Sequence, residues 1–144
     1  MCDFGVVLLV LCLNLYSMAP YKTLKAWQHA ERLAIECARV SKAFPDYEQE
    51  RLADQLRRAA YSVVLNIAEG SSRRGSREYR KFLDMAHGSL AEVETALGLA
   101  RRLEYIDPAE FGRLEALATE TGKTLFGLLR KITASAARLP PTSR

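Results

Sequence analysis

Two histidines and three cysteines among 144 residues leave little material for a metal or redox centre. Cys2, Cys12 and Cys37 are scattered and odd in number, with no CxxC or CxxH spacing. That argues against a disulfide framework or a zinc site and for reduced thiols in the cytoplasm. A di-iron centre in a helical bundle needs paired Glu-x-x-His motifs and further inward glutamates. The chain offers only Asp84-x-x-His87 and a distant His29. A glycine-rich phosphate loop and a nucleophile elbow are also missing. No stretch alternates apolar and polar residues as a half-buried strand does, and there is no internal repeat or low-complexity tract. These absences set the expectation of a non-enzymatic protein with no cofactor, no metal and no small-molecule substrate.

What is present suits one helical domain. An apolar content of 49% over 144 residues can fill a single core and is too short for two. The net charge of +4 and a pI near 9.1 fit an anionic partner without requiring one. Residues 4–13 are nearly all apolar and resemble the apolar region of a signal peptide, but Asp3 precedes them where a cation belongs. The run is too short to span a bilayer, Pro20 follows the small-residue cleavage candidate at 17–19, and Leu11 is too large for a lipoprotein signal at Cys12. Met18 supplies a simpler account, with translation starting there and residues 1–17 an upstream extension. No membrane association is expected.

From residue 21 onward apolar positions recur at steps of three and four. The first helix is expected over 23–44, with Ala26, Ala30, Leu33, Cys37, Val40 and Phe44 on one seam and Pro45 as its stop. The second is expected over 47–71, with Leu52, Leu56, Ala59, Val63 and Ile67, ending in a Gly/Ser/Arg break over 70–75. The third begins near Ser76 and carries a heptad seam from Tyr79 through Leu90 to Ala100. Asp107, Pro108 and Glu110 read as N-cap, N1 and N3 of the fourth, whose seam runs from Phe111 through Thr121 to Ile132. Short connections between long helices predict an all-α, antiparallel up-down-up-down four-helix bundle over residues 18–136, with a flexible tail over 137–144.

That topology would gather charge. Residues 20–32, 60–90 and 122–144 would share one end, with thirteen Lys/Arg against four Asp/Glu, while the other end would hold eight against twelve. Arg73, Arg74, Arg77, Arg80 and Lys81 form the corner after the second helix; Lys22, Lys25, Arg130 and Lys131 join them. Lys22, Lys25, Arg77, Arg80 and Lys81 fall near helix N-termini, where the helix dipole disfavours cations. Phosphate binding by RNA or DNA explains that placement, since clustered cations displace condensed counterions without reading bases. A solvated end that keeps the protein soluble explains it equally well. Cys37 reads as core and His87 as a boundary hydrogen-bonder. Arg57 and Arg58 read as partners of Asp54, Glu50 or a neighbouring subunit, and Asn66 and Glu69 as helix-end hydrogen-bonders.

Four blocks carry a resemblance: YKTLKAW at 21–27, QLRRAA at 55–60, NIAEG at 66–70 and GSLAEVE within 79–94. Together they resemble small bacterial four-helix bundle proteins first recognised in intervening sequences of large-subunit ribosomal RNA genes, which look related to accessory proteins of diversity-generating retroelements. The resemblance covers residues 21–132 and not 1–17. It implies a ring-shaped homopentamer that binds nucleic acid, and, in the retroelement relatives, a basic barrel that engages a reverse transcriptase. Val64 and Leu65 depart from the family pattern, which places proline and a small residue before the asparagine, so a straighter second helix is implied. Trp27, Ile35, Val64, Leu99, Leu103 and Phe126 fall off the simplest seams. Read alone they widen the core-facing stripe; the resemblance makes them subunit contacts. The functional alternative is a structural or adaptor ring that binds a protein partner without touching nucleic acid.

Overall fold

The computed structural model describes residues 19–137. Four α-helices follow one another, with no strand among the described residues: α1 Lys25–Ser41, α2 Leu52–Ser72, α3 Ser76–Arg102 and α4 Pro108–Ala137. Short 3-10 turns occupy Pro20–Thr23 and Asp46–Glu48. The apolar stretch at 4–13 and all but the first residue of the 137–144 tail lie outside the described residues. Among those described, no helix is long and apolar enough to cross a membrane.

The seams read from the sequence form the core. Leu33, Cys37, Leu56, Val63, Ile67, Leu83, Val93, Leu97, Leu114 and Leu125 are all fully buried. Each buried leucine contributes about 2 kcal/mol, so packing of these stripes, more than helix propensity, holds the helices. Small side chains off the seams, Ala34, Ala53, Ala60 and Ala96, are buried as well and let the backbones approach. Burial pushes the Cys37 thiol up to about 12, which keeps it protonated and inert. Each helix neighbours two others: α1 and α3 both lie against α2 and α4. Between α1 and α4, His29 Nδ1 meets Thr124 Oγ1 at 3.3 Å and Arg39 meets Glu110. Between α2 and α3, Gln55 Nε2 donates to Glu92 at 3.1 Å and Ser62 Oγ lies 2.8 Å from Ser89 Oγ.

Boundaries of α1 and α2 differ from the sequence expectation, and α1 ends at Ser41, three residues short of Phe44. The second helix starts at Leu52, because Gln49 turns back on the end of α1 and holds residues 42–51 off a helical path. Its Nε2 donates to the carbonyls of Ser41 at 3.0 Å and Phe44 at 2.8 Å. Arg57 then clasps the turn, donating to the Gln49 carbonyl at 2.8 Å and to Ser41 Oγ at 3.3 Å, while Asp54 lies 3.9 Å away. The chain also does not break at Gly70: α2 continues to Ser72, and Gly70 is buried against α3. The α4 start conforms, since Asp107 Oδ1 accepts the Glu110 N–H at 2.9 Å.

Arg39 and Arg113 join Glu36 and Glu110 in a four-membered ion cluster across α1 and α4. Hydrogen bonds from Arg113 first, and from Arg39, hold both carboxyls below their ordinary value. Because the folded pKa values are depressed, the cluster's stabilisation is complete above the unfolded carboxylate range near about 4.3 and is lost as pH falls through the lower folded values. Acid titration followed by circular dichroism should show wild type losing stability over that window more steeply than Glu36→Gln/Glu110→Gln. Equal slopes would remove the cluster from the account.

Candidate nucleic-acid interface

The cations at the α2–α3 corner are not equivalent. Arg73 ends α2, where its N–H donates to the Gly70 carbonyl at 3.1 Å. Its guanidinium pairs with Glu69 and lies 5.0 Å from the centre of the Phe82 ring, so it is committed to local structure. Lys81 pairs with Glu78 at 2.6 Å and Arg80 with Asp84 at 3.7 Å. Arg74 and Arg77 are exposed and form no ion pair among the described residues. Lys81, helped by the charges of Arg73 and Arg77, holds the Glu78 carboxyl below its ordinary value, which marks the corner as electropositive.

Gly75 makes the corner possible. Its φ of 93° is strained for a side chain, and it turns the chain between Arg74 and the first residue of α3. No side chain caps the α3 N-terminus. Lys25 opens α1, whose first turn holds no acidic residue, and Lys22 sits in the preceding turn, its carbonyl accepting from Gln28 Nε2 at 2.8 Å. That turn lies against α2, and Tyr21 shares a hollow with Glu69 and Ser72. Lys22 therefore follows a residue that lies near the end of α2. Arg130 lies 6.0 Å from the Phe126 ring centre, and Lys131 is exposed beside it.

The expected contact residues also separate. Ile35, Leu99, Leu103 and Phe126 stand 47–61% exposed, whereas Trp27 and Val64 are half-buried against the bundle's own core. Ile35 and Val64 line a groove of about 660 Å³ between α1 and α2, shared with Tyr61 and Leu65, which is 66% exposed. Tyr61 and Leu65 were not singled out from the sequence for this groove, although both lie off the α2 seam. Arg57, adjacent to Arg58 in a prominent run, is a clasp for the 42–51 turn and not part of the cationic corner.

By class this is an all-helical, four-helix protein with two exposed arginines, Arg74 and Arg77, at the corner between α2 and α3. It belongs to the 23S rRNA-intervening sequence protein family, whose model matches residues 22–127. Its fold is similar to the crystal structure of a protein of unknown function from the S23 ribosomal protein family of Bacteroides thetaiotaomicron. The two are 23% identical with a TM-score of 0.67, over 73% of this chain and 98% of that one. No curated protein matches the chain.

Proposed function

We propose that this protein is a non-enzymatic, up-down-up-down bundle that binds RNA or DNA through phosphates at its basic end and acts in the cytoplasm. The observation that carries the reading is the pair of exposed arginines, Arg74 and Arg77, left without carboxylate partners among the described residues. Arg77 and Lys25 stand at helix N-termini, where cations cost stability unless an anion is bound. Phosphate compensates that cost. Family membership supports a link to ribosomal RNA intervening sequences; a reverse transcriptase is the partner if the chain serves a retroelement.

Assembly belongs to the same reading. Leu99, Leu103 and Phe126 leave apolar area in water, and a homo-oligomer, a pentamer on the family resemblance, would cover it and repeat the basic corner around an axis. A second reading has its own observation: the α1–α2 groove with Ile35, Tyr61 and Leu65 suits an adaptor that holds a protein partner. Salt separates the two. Gel-shift or anisotropy titrations with short RNA and DNA should show affinity falling linearly in log–log against salt, with a slope of about −0.7 to −0.9 for each phosphate neutralised. Absence of binding at low salt would leave the adaptor reading standing, and sedimentation as a monomer would remove the ring from both.

A further inference from the structure

Beside the basic corner lies a hollow of about 540 Å³ lined by Tyr21, Leu65, Asn66, Ala68, Glu69 and Ser72. We infer that this hollow is a seat for an unpaired nucleobase, so that the basic end takes single-stranded nucleic acid in preference to duplex; the inference rests on the phosphate-binding reading above. Three observations carry it. The lining is mainly aromatic and aliphatic, with Tyr21 as a half-buried ring and Leu65 as exposed apolar surface, which suits the face of a base. Tyr21 packs against Trp27, their ring centroids 5.1 Å apart and their planes tilted by 56°, which restrains the ring. The polar groups in the lining accept hydrogen bonds. Asn66 Nδ2 is already used on the Ser62 carbonyl and hydroxyl, at 2.9 and 3.0 Å, while its Oδ1 has no hydrogen bond among the described residues. Glu69 is an acceptor whose charge is countered by Arg73.

An acceptor-lined aromatic hollow matches the N–H edge of a base, and Arg74 lies two residues beyond Ser72, where the strand's phosphates would run. Bases in a duplex are stacked on each other and cannot present a face to Tyr21; a single strand can. Binding of this kind tolerates any base, because each has a π face.

The test compares oligothymidylate with an abasic oligomer of the same length, which keeps the phosphates and removes the bases. Trp27, the one tryptophan of the chain, sits against Tyr21 and serves as the reporter. Oligothymidylate should bind about tenfold more tightly than the abasic strand and alter Trp27 emission, which the abasic strand should leave unchanged. Tyr21→Ala should erase the affinity gap without changing the salt slope, and Tyr21→Phe should preserve it. Equal affinities for the two strands with silent Trp27 emission would overturn the base seat while leaving phosphate binding intact. Failure of both strands to bind at low salt would overturn the two together. The wild-type comparison and Tyr21→Phe decide the matter even if Tyr21→Ala proves poorly folded.

Discussion

Gly70→Val should destabilise the protein by about 3 kcal/mol or more, and Gly70→Ala by about 2 kcal/mol, read as lowered denaturant midpoints at unchanged slope. A Cβ on Gly70 would stand 2.8 Å from Tyr79 Cδ2 and 2.9 Å from Phe82 Cβ. The Tyr79 ring could rotate away, but Phe82 Cβ is fixed to the α3 backbone, so α2 and α3 would have to separate. The strain outweighs the roughly 0.8–1.0 kcal/mol that alanine gains over glycine in a helix interior. Gly88→Ala is the internal control: nothing lies within 4 Å of its Cβ, so the same chemical change should raise stability by about that amount. Equal effects at the two positions would show that helix propensity, not the close approach of α2 and α3, governs Gly70.

Arg74→Glu/Arg77→Glu should lower affinity for nucleic acid by about 100-fold at about 0.1 M salt and reduce the salt slope by nearly two. Arg80→Glu/Lys81→Glu should weaken binding less, because those cations already face Asp84 and Glu78 and deliver less charge to a ligand. Stability should move the other way for the first pair. An acidic residue at position 77, in the first turn of α3, suits the positive helix end, and position 74 is exposed with no carboxylate partner to lose among the described residues. A variant that binds less while melting no earlier points to surface retained for a ligand. If Arg80→Glu/Lys81→Glu weakened binding as much as Arg74→Glu/Arg77→Glu, the distinction between paired and unpaired cations would fail. The comparison is best made by anisotropy at several salt concentrations, with thermal melts of each variant alongside.

Local sequence pattern accounts for the helical class and the buried faces. Periods of three and four place Leu33, Leu56, Leu90 and Leu125 on inward stripes whatever the helices pack against, since the stripe is a property of 3.6 residues per turn. The Asp107 cap was legible for the same reason, being a local bond between Asp107 and Glu110. What lay outside local reach was decided by tertiary contact. Gly70 looks like a helix breaker in isolation, yet α2 runs through it, and the approach of Tyr79 and Phe82 is what requires a residue without a side chain there. The expected start of the second helix gave way to a 3-10 turn once Gln49 and Arg57 found partners at Ser41 and Phe44. In the basic corner, residue type alone could not separate Arg73, Arg80 and Lys81 from Arg74 and Arg77. That division depends on which carboxylates the folded helices bring within reach, and it selects the arginines available to a phosphate.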